Sequence, residues 1–431
     1  MQLVSFFNDH QFHNFSCLRC NEIFGILILL IAVLLAIATV LKVCARSRDP
    51  DATNRAEAVF SEYQEACESE NSGFSHDALV YNSMINCYAK SKQKDAGNRA
   101  IELFETMKVN MGKPGWEMCF LDIYTYTSLI DAISKQQSFE AAEQAITLLE
   151  EVEKSFAKTG DIRFQPNIRL YTSAVNAIGR SHESPDRAKT IVDRVESFHL
   201  EGLTNKDVKP DVVFYNALIN AYGWSDQEGR SQKSFEILKH MISLSESGKL
   251  TDAKPDTVSF NSVLNACAHE ITKDRGTSGS IMKIVVKVFE LLNNSPEYGS
   301  PDQRTYAQVL DSIASHMAKN DEKRTRMAEA TFLQCASNGL VGPMVIHKLF
   351  ATISPSRFRA LLGPASIGKG NKLKFDISEL PTEWTANALT RYSRNGRRSR
   401  SRKTQSNFQV TKNVITSEQQ NGNNRKKNLT L

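Results

Sequence analysis

Three groups of residues in the 431-residue chain are of types that do chemistry, and spacing decides against each. Gly363 to Lys369 (GPASIGK) has the spacing of a phosphate-cradling loop. Gly370, however, stands where a Ser or Thr hydroxyl would hold Mg²⁺, and the preceding RFRALL reads as helix rather than strand. His10, His13, Cys17 and Cys20 are all metal-ligand types, but the three residues between the His and Cys pairs fall far short of zinc-finger spacing. His199 and Glu201 form the H-x-E of zinc deaminases, with no C-x-x-C after them to hold the metal. The eight cysteines are scattered rather than regularly spaced, so Cys87, Cys267 and Cys335 read as small core residues in a reducing compartment. Neither a metal nor a cofactor nor a catalytic centre is expected.

Short polar side chains recur instead, at fixed intervals. Six segments share one head: LVYNSMINCYAKS from Leu79, YTYTSLIDAISKQ from Tyr124, RLYTSAVNAIGRS from Arg169, VFYNALINAYGWS from Val213, VSFNSVLNACAHE from Val258 and RTYAQVLDSIASH from Arg304. The residue after the aromatic is Asn82, Thr127, Thr172, Asn216, Asn261 and Ala307, at spacings of 45, 45, 44, 45 and 46. Tyr215, Leu218, Ile219 and Tyr222 fall on one face of a 3.6-residue helix. A small residue recurs beside that face (Cys87, Ala132, Ala177, Ala221, Ala266, Ser312), which lets a second helix approach closely. That second helix shows in Ala100, Leu103, Phe104 and Met107, and again in Val285, Val288, Phe289 and Leu292. The linkers close on QPN at Asn167, KPD at Asp211 and Asp256, and SPD at Asp302; proline stops one helix and the Asp or Asn is placed to cap the next. A single helix pair cannot bury its apolar stripe alone, so the expected fold is all-α, a solenoid of stacked antiparallel helix pairs.

Both ends differ from the repeats. Ile23 to Leu41 is an uncharged run of 19 residues, about the length that crosses a bilayer, with Lys42, Arg46 and Arg48 after it. It reads either as a single transmembrane helix, with the large C-terminal part on the positive-inside face, or as the first helix of a worn repeat. From Trp384 onwards eleven Lys and Arg meet one acid, so a chain of net charge +5 carries +10 in this tail and −5 in the rest. RYSRNGRRSRSRK, Arg391 to Lys403, reads as disordered, and serves as an RNA-backbone clamp, a nuclear signal or a solubility tail.

The head, the helix pair and the terminal Lys-Pro-Asp resemble the pentatricopeptide repeat family from about Asp77 to Leu349. Val43 to Phe60 looks like the back half of a further unit; counting back 44 residues from Asn82 reaches Ala38, inside the apolar run. The resulting segments are an N-terminal stretch 1–22, a candidate transmembrane helix 23–43, a degenerate half repeat 44–77, repeats at 78–122, 123–167, 168–211, 212–256, 257–302 and 303–350, a helical cap 351–390 and a basic tail 391–431. The family's repeats are shorter, and here the extra length sits in loops such as EITKDRGTSGS.

The resemblance implies binding of single-stranded RNA, one base per repeat, in RNA processing, stability or translation. The residue after the head aromatic and the last residue of the repeat would read the base together: Asn82 with Asp122, Thr127 with Asn167, Thr172 with Asp211, Asn216 with Asp256 and Asn261 with Asp302. In the family's usual code these suggest U, A, G, U, U, with Ala307 silent. Bases would be wedged by Leu79, Tyr124, Arg169, Val213, Val258 and Arg304, where Tyr and Arg can stack. The metallonuclease domain that some proteins with such repeats carry has no counterpart in the acid-poor stretch after Gly363. The resemblance also implies an organelle, mitochondrion or plastid, as the alternative to a membrane-associated location. A helical scaffold for protein partners, anchored in a membrane, is the competing function; the W-x₂-L-G-x₂-Y head of the tetratricopeptide scaffolds is absent.

Overall fold

Each linker acid or amide begins a helix in the computed structural model, which describes residues 20–69, 74–182, 185–203, 206–272, 274–363, 366–367 and 374–388. The segment with His10, His13 and Cys17, most of GPASIGK and the basic tail 391–431 lie outside the described residues. The chain divides into two compact units, 1–271 and 272–431.

In the first unit, α1 (Cys20–Arg46) and α2 (Ala52–Glu68) precede four helix pairs. These are α3 (Ala78–Lys90) with α4 (Ala96–Asn110), α5 (Ile123–Ile133) with α6 (Phe139–Thr159), α7 (Ile168–Arg180) with α8 (Pro185–Leu200), and α9 (Val212–Trp224) with α10 (Arg230–Glu246). The unit ends with α11 (Thr257–His269). The second unit holds α12 (Arg275–Asn294), α13 (Gln303–His316), α14 (Glu322–Ser337), α15 (Pro343–Thr352), α16 (Pro355–Leu362), the two-residue strands β1 (Ser366–Ile367) and β2 (Lys374–Phe375), and α17 (Thr382–Thr385). No strand occurs among the described residues of the repeats. RFRALL is helical, in α16, as its sequence indicated.

The caps explain the helix starts. Asp122 accepts from the Thr125 N–H at 2.8 Å, Asn167 from Leu170 at 3.0 Å, Asp211 from Phe214 at 2.8 Å and Asp256 from Ser259 at 3.0 Å. In the second unit Asp302 accepts from Thr305 at 2.8 Å. Each carboxylate or amide oxygen satisfies one of the N–H groups that a helix start leaves unpaired.

Two layers result in the first unit. First helices pack on one another in the order α1, α3, α5, α7, α9, α11, and each of α4, α6, α8 and α10 packs against its own first helix and the next one. The small residues named from sequence are buried, and at two of these contacts they admit a neighbouring first helix rather than the second helix of the pair. A β-carbon built on Gly179 would lie 2.8 Å from the Ala221 Cα, and one on Gly223 would lie 3.5 Å from the Ala266 Cβ. Second helices are joined by ion pairs: Arg99 with Glu57, Lys108 with Glu151 at 2.9 Å, Arg187 with Glu143, and Arg194 with Glu153 at 2.9 Å.

The apolar run is continuous with this architecture. α1 packs against α2 and α3, and Ala38, Leu41 and Ala45 are buried, so its C-terminal part occupies the place of a first helix. In the second unit, α15 crosses position 350 and packs on α13. Gly339, at φ +69°, and Pro343 at the start of α15 break the chain between α14 and α15. Buried Arg324 donates to the carbonyls of Thr352 and Met317, at 2.8 Å each, which ties the end of α15 to the end of α13.

Candidate nucleic-acid interface

The head aromatics Tyr81, Tyr126, Tyr171, Tyr215, Phe260 and Tyr306 are core residues. A buried phenol needs a partner, and carboxylates of the second helices supply it. Tyr126 donates to Glu151 at 2.9 Å, Tyr171 to Glu153 at 2.8 Å and Tyr215 to Glu196 at 2.6 Å. With the aromatic fixed inward, the residue two before it faces out. Leu79, Tyr124, Val213 and Val258 are exposed apolar or aromatic side chains, and Arg169 is exposed in the same register; Arg304 is exposed at the matching place in the second unit.

One turn further along each first helix come the candidate reading residues. Asn82 donates through Nδ2 to Asp122 Oδ1 at 3.3 Å, and Asn216 does the same to Asp256 at 3.3 Å. Two predicted pairs are thus brought together by the same atoms, while the same Asp oxygens also cap α5 and α11. In both, the amide oxygen Oδ1 is buried without a hydrogen-bond partner. Turning the amide round would set that oxygen against a carboxylate, so the orientation follows from charge. Thr127 and Thr172 donate their hydroxyls to the carbonyls of Ile123 and Ile168, at 2.7 Å each, which leaves only acceptor capacity on those oxygens. Their partners Asn167 and Asp211 cap α7 and α9. Asn261, buried on α11, belongs to the first unit and Asp302 to the second, and Ala307 is buried.

Two further columns share the repeat spacing and were not singled out from sequence. Four residues after the reading positions stand Asn86, Asp131, Asn176, Asn220 and Asn265, all partly exposed. Eight residues after the first three stand Lys90, Lys135 and Arg180. Lys135 donates to the Ser91 carbonyl at 2.6 Å, and Arg180 to Ser134 Oγ at 2.7 Å. Burial, with Lys90 and Arg180 nearby, pulls the Lys135 ammonium down to about 8. Lys90 keeps a loose ion pair to Asp131 at 3.9 Å.

Among the described residues, no group of three His, Cys, Asp or Glu side chains is arranged to hold a metal ion. His199, in the last turn of α8, and Glu201 beyond it therefore gather no ligand set. Residues 79–110, the pair α3 and α4 with Asn82, match the PPR repeat. Residues 199–270, from the end of α8 through α11, match the pentatricopeptide repeat domain. No curated protein and no solved structure matches the chain. Helix pairs stacked at a spacing of about 45 residues, with capped first helices, thus include two stretches that match pentatricopeptide repeats.

Proposed function

We propose that the protein binds single-stranded RNA along its first helices, one base per repeat, and performs no chemistry on it. The observation that carries this reading is the pair Asn82–Asp122 and its copy Asn216–Asp256, each with an Asn oxygen that lacks a donor. A uracil edge offers an N–H and carbonyl oxygens, which complement an amide acceptor, an amide donor and a carboxylate. Thr127 and Thr172, reduced to acceptors, suit the amino and imino donors of purines, in keeping with the A and G that the family's code assigns them. Leu79, Tyr124, Arg169, Val213 and Val258 supply apolar and stacking surface on either side of each base, and Lys90, Lys135 and Arg180 meet phosphates.

In this reading the basic tail 391–431 adds phosphate contacts of no sequence preference, and α1 keeps the protein at a membrane. The role is selection of a transcript for processing, stabilisation or translation. The test is fluorescence anisotropy of the full chain in mild detergent with two RNAs of equal length. One contains UAGUU, and the other has each of those bases exchanged purine for purine and pyrimidine for pyrimidine. Tighter binding of the first supports base reading. Equal binding reduces the array to a phosphate binder, and binding of neither overturns an RNA function.

A further inference from the structure

We infer that α1 is a composite helix whose C-terminal third is the first layer of the repeat array and whose N-terminal part is embedded in a lipid bilayer, so that the array is seated on the membrane without a linker. This rests on the membrane part of the reading above and is independent of RNA.

Ala38, Leu41 and Ala45 are buried in the array, and Ala38 stands 44 residues before Asn82, the interval of the repeats. A leader that is cut away contributes nothing to a core, whereas these three residues are core. From Leu29 to Ile37 no residue is buried. Leu29 is 45 % exposed, Ile31 48 % and Leu35 52 %. Leu29 and Ile31 lie about 200° apart around a helix of 3.6 residues per turn, so the exposed apolar surface is on opposite sides. A protein groove or a second copy covers one side of a helix; lipid covers all of them. Thr39, polar but uncharged, donates its hydroxyl to the Leu35 carbonyl at 2.7 Å, which satisfies that donor within the helix. Lys42 and Arg46 are exposed just beyond, placed for anionic headgroups.

Length adds the geometric consequence. Residues 23–37 rise about 22 Å at 1.5 Å each, short of the roughly 30 Å hydrocarbon core. Crossing it requires the stretch to Leu41, and Leu41 is already inside the protein. The end of the array formed by α1, α2 and α3 therefore rests at headgroup depth, and the first helices that follow extend from a fixed point on the surface.

The test is flotation of the full chain with vesicles of phosphatidylcholine and phosphatidylglycerol, together with thermal melting in detergent and sedimentation without lipid. Leu35→Arg is expected to abolish flotation and leave the melting temperature unchanged. Leu41→Ala is expected to lower the melting temperature by several degrees and to keep flotation. A Leu35→Arg chain that still floats overturns the lipid assignment. So does a parent chain that forms dimers without lipid, if Leu35→Arg dissolves them and the parent does not float. A Leu41→Ala chain that melts like the parent overturns the composite helix and leaves a tethered anchor. None of these readouts involves RNA, so their failure and failure of RNA binding are separable.

Discussion

Asn216 donates to Asp256 across 3.3 Å, yet its own amide oxygen is buried and has no donor. A buried acceptor left unmade costs about 1–3 kcal/mol, so the residue is not there for stability. Asn216→Ala is expected to leave the melting temperature nearly unchanged and to weaken a U-containing strand by about 1–2 kcal/mol, roughly 5- to 30-fold. Asp256→Ala removes a cap as well, so it is expected to lose about 1 kcal/mol of stability along with affinity. Anisotropy titrations and thermal melts of the two variants separate the roles. If Asn216→Ala binds every RNA as the parent does, the pair reads nothing.

Gly179 and Gly223 make opposite predictions from the same helix layer. A β-carbon on Gly179 would meet the Ala221 backbone at 2.8 Å, and backbone does not yield as a flexible side chain does. Gly179→Ala is therefore expected to destabilise the first unit by about 1–3 kcal/mol. A β-carbon on Gly223 meets Ala266 at 3.5 Å, an ordinary contact. Gly223→Ala is expected to stabilise by up to about 1 kcal/mol, because it lowers the entropy of the unfolded chain in a helical position. Urea denaturation of both variants decides; equal losses at both sites would contradict the spacing.

The repeat, its helix starts and its exposed register could be read from sequence because they sit in columns: Pro-Asp ends one unit, an aromatic follows four residues later, and the spacing varies by only two residues. The partners of the buried tyrosines are not in columns. Glu151 lies 25 residues after Tyr126, whereas Glu153 and Glu196 lie 18 and 19 residues before Tyr171 and Tyr215, because Tyr126 pairs with the second helix of its own repeat and the other two with that of the preceding repeat. Sequence marks Ala221 as small and suggests that a second helix approaches it; that Gly179 of the preceding first helix does so is a fact of packing. The polar column from Asn86 to Asn265 was legible in spacing alone, but only burial separates it from the core faces beside it.

His240 tests the electrostatics of the outer layer. Its Nε2 lies 2.8 Å from Glu196, and the hydrogen bond to that carboxylate holds the imidazole above its usual range despite partial burial. Burial pushes Glu196 up, but hydrogen bonds from His240 and Tyr215 more than offset this and leave it lowered. A raised histidine contributes its full stability below its unfolded value, about 6.5, and loses it as pH rises through the folded value. His240→Gln is expected to be less stable than the parent at pH 6, with the gap closing above neutrality. A gap independent of pH would mean that the pair acts by packing alone.

Lys135 links charge to binding. Burial first, and then Lys90 and Arg180, lower its ammonium to about 8. In the folded protein alone this favours the neutral form, and between about 8 and the unfolded value near 10.5 stability rises with pH, since the unfolded chain binds the extra proton. A phosphate beside Lys135 does the reverse, because a nearby anion favours the charged amine and returns its pKa upward. RNA binding above pH 8 must then take up a proton. Affinity of the parent is expected to fall as pH rises from 7 to 9, by up to about tenfold per unit for one fully coupled proton. Lys135→Arg keeps its charge throughout and is expected to flatten that profile, whereas Lys135→Gln is expected to bind weakly at every pH and to reduce the slope of log affinity against log salt by about one. Removing residues 391–431 is expected to weaken all RNAs alike and lower the salt slope further, while preserving the pH dependence that Lys135 confers. A parent whose affinity is constant from pH 7 to 9 would place the phosphates away from Lys135, and with it the path of the strand away from the C-terminal ends of α3, α5 and α7.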